Sequence, residues 1–175
     1  MGNVMPEEAE GMARYALALV IGLIAAATAG CAPYDMPHLK DDELIRVFFA
    51  NRPEFERLAA DLKKDCDKGL VRIDADWTEP RDPGTVGITY SEIHHYRDRF
   101  ASLGITRGYS AVAECSALEL IVSAQGLAVS GSSKGYYYSA QGPRNIVASL
   151  DTYEPTFKYG AYRRISYGWY LYYSE

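Results

Sequence analysis

The chain is short of several things. Its 175 residues include only three Cys, three His, two Trp and five Phe, and 18 basic residues face 23 acidic ones. The resulting net charge of -5 leaves no basic footprint for nucleic acid. No internal repeat, heptad pattern or low-complexity tract is present, which removes solenoids and coiled coils. The apolar run from Tyr15 to Ala29 is shorter than the ~20 residues that a membrane-crossing helix needs. Disorder is excluded as well, because 48% of the chain is hydrophobic and 23% charged. One domain with a small appendage fits the length. Against these shortages stands one excess: 15 Tyr, ten of them after residue 135.

The front of the chain reads as an address. Tyr15 to Ala29 is an uncharged, Ala/Leu/Ile-rich run preceded by Arg14 and followed by small residues, the layout of a secretory signal peptide. Glu7, Glu8 and Glu10 are out of place in an export signal. A start at Met12 removes the conflict by opening the segment Met-Ala-Arg-Tyr. Met1-Gly2 is not a myristoylation signal, because Pro6 stands where Ser or Thr is required.

The run closes on Thr28-Ala29-Gly30-Cys31. This resembles the lipobox of bacterial lipoproteins, with Thr28 as its one departure where the family favours an aliphatic residue. The resemblance covers residues 12–31 only. It implies a diacylated Cys31 as mature N-terminus, each buried acyl CH₂ holding the chain to the bilayer by about 0.8 kcal/mol. It also implies a domain facing the periplasm. The absence of Asp at position 32 favours the outer membrane if the cell is Gram-negative. Two alternatives compete: Ala27-Thr28-Ala29 as an ordinary cleavage site, and retention of the segment as an uncleaved anchor.

Residues 32–40, with two prolines, read as a tether that includes His38. Residues 41–175 read as a single α+β domain: two or three N-terminal helices packed on an antiparallel meander sheet of about four to five strands. Asp41 and Asp42 open a helix through Leu44, Ile45, Phe48 and Phe49. Pro53 opens its continuation, in which Phe55, Leu58, Ala59, Leu62 and Cys66 form one apolar stripe ending at Gly69. Val71-Arg72-Ile73 fits a short strand, and residues 74–87 read as a loop. Thr89 and Glu92 form a capping box for a third helix with the stripe Ile93, Tyr96, Phe100 and Leu103, stopped at Gly104-Ile105. Beyond Gly108 the chain reads as sheet. Strands are expected over 117–124 and from Leu127 to Ser130, with a loose segment over 131–135 and a final hairpin around Ser166-Tyr167-Gly168. Arg144 to Leu150 fits a strand or a short helix equally.

Candidates for chemistry are few. Once Cys31 is lipidated, Cys66 and Cys115 remain as an even pair, a disulfide candidate in an oxidising compartment. Two separately buried thiols are the alternative. His94 and Asp98 lie i, i+4 on the outward face of the third helix, beside His95, but zinc needs three or four ligands, so no metal and no cofactor is expected. Ser130, Ser132 and Ser133 cluster near Lys134. The S-x-x-K serine position is occupied by Gly131, however, and the S-D-N and K-T-G companions and the P-loop pattern are absent. An envelope hydrolase or other enzyme using the Ser130–Gly135 loop or the His94/His95 face is therefore the alternative function.

The principal expectation is a lipid-anchored cell-envelope protein of structural or binding role. If the last hairpin turns at Ser166-Tyr167-Gly168, Ile165 lies opposite Trp169 and Arg163 opposite Leu171 on the core side. Tyr162, Arg164, Tyr170 and Tyr172 then share the other face as a candidate contact surface. Tyr and Arg are enriched at binding hot spots, so an envelope protein or peptidoglycan is the expected partner, beside the membrane itself through Cys31.

Overall fold

The computed structural model describes residues 37–126, 131–154 and 160–175. The residues expected to form the signal segment and most of the tether, Cys31 included, lie outside these residues, as do Leu127 to Ser130. The described chain is α+β, with three α-helices and a seven-stranded antiparallel sheet. The helices are α1 (Asp41–Ala50), α2 (Arg52–Cys66) and α3 (Tyr90–Ser102). The strands are β1 (Arg72–Ile73), β2 (Thr78–Glu79), β3 (Tyr109–Val112), β4 (Ala117–Gln125), β5 (Ser132–Tyr138), β6 (Ala161–Ser166) and β7 (Trp169–Ser174). Their order in the sheet is β2-β1-β3-β4-β5-β7-β6.

Each helix starts and stops for a local reason. Pro53 stands in the first turn of α2, where its missing N–H costs nothing. At α3 the Glu92 amide donates to Thr89 Oγ at 3.2 Å while the Thr89 amide donates to the Glu92 carboxylate at 2.6 Å, a complete capping box. The Ile105 amide returns to the Phe100 carbonyl at 2.9 Å, with Gly104 left-handed at φ 72°, a Schellman stop.

The helices bury their stripes on one face of the sheet. Leu44 and Phe48 of α1, Phe55, Leu58 and Leu62 of α2, and Ile93 and Phe100 of α3 join Tyr109, Leu118, Leu120, Tyr136, Trp169 and Leu171 in one core. Alternate residues of the same strands, Ala117, Tyr137, Tyr170 and Tyr172, form a second cluster on the opposite face. Period two of the strands produces this division.

The strand count exceeds the four to five expected. Val71-Arg72-Ile73, which fits a short strand in the sequence, forms β1, whereas β2, also two residues long, lies inside the segment expected to be loop. The remainder of that segment holds a 3-10 turn, Pro83–Val86. Residues 132–135, expected to be loose, are the first half of β5, because a ladder is made by backbone groups that polar side chains do not forbid. Gly135 is required there. A Cβ on it would collide with the Leu120 carbonyl oxygen, beside the irregularity in β4 between Ile121 and Ser123.

The terminal hairpin is one residue tighter than expected. Ser166, not Ile165, pairs with Trp169, and the register shifts between Arg164 and Ser166. Ile165 is absorbed as a bulge, and Tyr167-Gly168 alone make the turn, with Gly168 at φ 72°. The bulge leaves the rest of the register in place: Arg163 faces Leu171 and Tyr162 faces Tyr172. Residues 144–150 are neither helix nor named strand; Ile146 bridges Tyr162 in parallel.

Candidate functional site

Two polar clusters lie on the sheet, one on each face. The first sits where the chain enters the domain. Asp41, fully buried at the start of α1, places Oδ1 2.7 Å from Lys134 Nζ, and Lys134 is itself only 3% exposed. Lys134 also reaches Asp151 at 2.7 Å. Arg163 Nη1 lies 3.0 Å from Asp41 Oδ2 and 3.4 Å from Asp42. The Leu150 amide donates to Asp41 Oδ2 at 2.7 Å, and the Asp41 amide donates to both Asp151 oxygens at 3.1 Å. Asp151 thus serves as a distant N-terminal cap of α1. Lys134 and Arg163 thus meet the buried Asp41 and the more exposed Asp151 and Asp42, so neither buried charge is without a counter-charge.

These contacts set the protonation of Asp41. Burial alone would raise its carboxyl, but the Lys134 hydrogen bond, the Leu150 amide, the Lys134 charge and Arg163 outweigh it and hold the group below the ordinary range. Arg163, an awkward member of an apolar face in the sequence, is placed there to meet Asp41.

His38 extends this cluster. Its Nδ1 lies 2.6 Å from Ser123 Oγ in β4, and its Nε2 lies 2.8 Å from Ser132 Oγ in β5. The ring meets Tyr173 edge-on at 5.6 Å between centroids. Burial, then the charge of Lys134, lower its pKa, which leaves the imidazole neutral near pH 7. The sequence assigns His38 to a tether, and no local signal links it to serines 85 and 94 residues away. Only the pairing of β4 with β5 brings them together.

The other candidates are distributed differently. His94, His95 and Asp98 are exposed on α3, and no group of three His, Cys, Asp or Glu is placed to hold a metal among the described residues. Ser130 lies outside the described residues. Ser132 points with Lys134 toward the helices, and Ser133 lies on the other face, 3.2 Å from Ser174 Oγ. Cys66 and Cys115 are joined by a disulfide that ties the end of α2 to the β3–β4 turn, with Cα atoms 5.9 Å apart.

The second cluster occupies the outer face. The registers align Glu79, Arg72, Ser110, Glu119, Tyr137, Tyr170 and Arg164 in one row across all seven strands. Tyr162 and Tyr172 form part of the adjacent row. Burial raises the Glu119 carboxyl against the opposing charge of Arg72. Burial, then the Glu119 and Tyr137 charges, push Tyr162 up to about 12. Tyr137 and Tyr162 meet edge to face at 4.8 Å.

Tyr162, Arg164, Tyr170 and Tyr172 share this face but are not jointly exposed. Arg164 is exposed and Tyr162 half-buried, whereas Tyr170 and Tyr172 are 7% and 1% exposed. No helix among the described residues covers them. The tyrosines pack on one another, and the 140–147 segment comes close, with Gly142 against the Tyr170 hydroxyl. The accessible part of the face is therefore Arg164, Tyr162, Glu119 and Arg72, with the latter guanidinium 4.8 Å from the centre of the Trp77 ring.

Comparison with protein-family models, curated proteins and solved structures finds no match.

Proposed function

We propose that this chain is an exported, lipid-anchored protein of the cell envelope whose domain binds or braces an envelope partner through the outer face of its sheet. The observation that carries the reading is the Cys66–Cys115 bond. Structural disulfides persist in oxidising compartments and are rare in the cytosol of mesophiles. That chemistry agrees with the leader at residues 12–31 and with Cys31 as the acylated residue, since an apolar leader followed by an oxidised domain serves one itinerary. Peptidoglycan or an envelope protein is the partner.

On the outer face, Arg164 and Tyr162 are the contact residues, while Tyr170 and Tyr172 support them from below. Arg164 offers a planar fork of donors, and Tyr162 a ring edge with a hydroxyl that stays protonated well above neutral pH. Sedimentation with purified peptidoglycan, and cross-linking in intact envelopes, test this surface. Arg164→Glu is expected to lower the captured fraction at least tenfold with the melting temperature unchanged. Equal capture by the variant and the native chain removes this surface from the account.

A further inference from the structure

We propose that Ser132 and His38 form a nucleophile–base pair able to transfer the acyl group of a carboxylic ester. The inference starts from the hydrogen bonds of His38. Ser132 Oγ lies 2.8 Å from Nε2, within reach for direct proton transfer, and Ser123 Oγ lies 2.6 Å from Nδ1 on the far side of the ring. A base fixed between a hydroxyl to be deprotonated and a second oxygen that orients it is the arrangement that activates a serine. With Nδ1–H donated to Ser123, the Nε2 lone pair faces the Ser132 hydroxyl.

The surroundings support the same chemistry. The groups facing His38 are Lys134 from β5 and Tyr173 from β7, with Ser123 and Ser132 at its two nitrogens. Burial, then the charge of Lys134, disfavours the imidazolium before reaction, so the base is in its competent form at neutral pH. The Tyr173 hydroxyl stands beside Ser132 and donates to Glu175 at 3.0 Å, so it is placed to turn toward an oxyanion formed on an acyl group at Ser132. Ser123, Ser132, His38 and Tyr173 are all half-buried, held by the sheet yet reachable from solvent.

The step balances within these groups. Ser132 Oγ bonds to the ester carbonyl carbon, and its proton passes to His38 Nε2. The tetrahedral oxyanion collapses, the C–O bond to the alcohol breaks, and His38 returns the proton to the departing oxygen. Water then attacks the acyl-serine, with His38 taking and returning one proton, and releases the carboxylic acid.

The activity is independent of acylation at Cys31, so its test is separate. Full-length protein in detergent micelles, with its disulfide verified by mass, is treated with a fluorophosphonate probe. Ser132 Oγ displaces fluoride and gains one phosphonyl group, located by peptide mass mapping. The expected result is a single adduct on Ser132, formed about a hundredfold more slowly in His38→Gln. Ser133→Ala, altered on the opposite face, is expected to label like the native chain. No adduct on Ser132 in the folded native protein overturns the proposal, as does equal labelling of His38→Gln. Either result leaves His38 as a structural link between its segment and the sheet.

Discussion

Asp41 is the residue on which the entry of the chain into its fold depends most. It is fully buried, and its partner Lys134 is 3% exposed, so removing Asp41 leaves the buried ammonium with Asp151 alone and takes from Arg163 its buried acceptor. Breaking such a pair costs about 3–5 kcal/mol. Asp41→Ala is expected to lower unfolding stability by that amount in urea titrations, and replacing Lys134 by Met in the same chain is expected to restore part of it. A loss below about 1 kcal/mol in the single variant contradicts this role. The sign of the pH effect follows from the lowered carboxyl. The unfolded group binds protons first as pH falls, so the stabilisation is complete above its ordinary value of about 3.9 and is lost below it as the folded group also protonates. His38 acts in a higher window. Its folded form resists protonation, so stability falls as pH drops from about 6.5 toward its lowered folded value. Melting temperatures measured from pH 8 to pH 4 are expected to show this loss, and His38→Gln is expected to flatten the upper part of the curve.

At the scale of elements, the β3–β4 turn is the most constrained. Ala113, Glu114 and Cys115 have φ of 46°, 53° and 65°, three consecutive left-handed residues without a glycine. Each costs roughly 1–2 kcal/mol relative to glycine. The turn is held by the flanking ladder and by the bond from Cys115 to Cys66, 49 residues away. Closing a loop of that length stabilises by roughly 4 kcal/mol in the chain-entropy model. Cys66→Ser paired with Cys115→Ser is therefore expected to destabilise by that order, while Ala113→Gly is expected to stabilise by about 1 kcal/mol. Calorimetry of both checks the ranking, and a stabilised double-serine variant would refute it.

The helices were legible in the sequence because their signals are local: Pro53, the Thr89/Glu92 box, Gly104 and the apolar stripes. The sheet was legible only in part. A two-residue strand such as β2, set among Pro and Gly, carries no alternation to read, and a bulge such as Ile165 displaces pairing without a mark in composition. The first cluster was hidden for another reason. Asp41, Lys134, Asp151 and Arg163 are separated by up to 122 residues, and an ion pair leaves no periodicity. Lys134 in particular looks like a loop residue until its two carboxylates are in place.

For the whole molecule, the tyrosine excess has two structural uses. On the helix side, Tyr109 and Tyr136 bury their rings in the core and donate to the Leu70 and Leu44 carbonyls at 3.1 and 3.0 Å. Phenylalanine at these two positions would fill the same space but leave those links unmade. On the outer side, Tyr137, Tyr170 and Tyr172 pack together under Tyr162 and Arg164, so that a face with no described helix over it is largely dry. A domain built this way, closed by a disulfide and entered through a short proline-bearing segment, suits a protein held at a surface by its N-terminus. Intact-mass analysis of the membrane fraction, with and without reductant, tests that account most directly. The account predicts a chain beginning at a diacylglycerol-modified Cys31, two hydrogens lighter before reduction than after. A chain found in the soluble fraction, with Cys31 unmodified and Cys66 and Cys115 as free thiols, would contradict it.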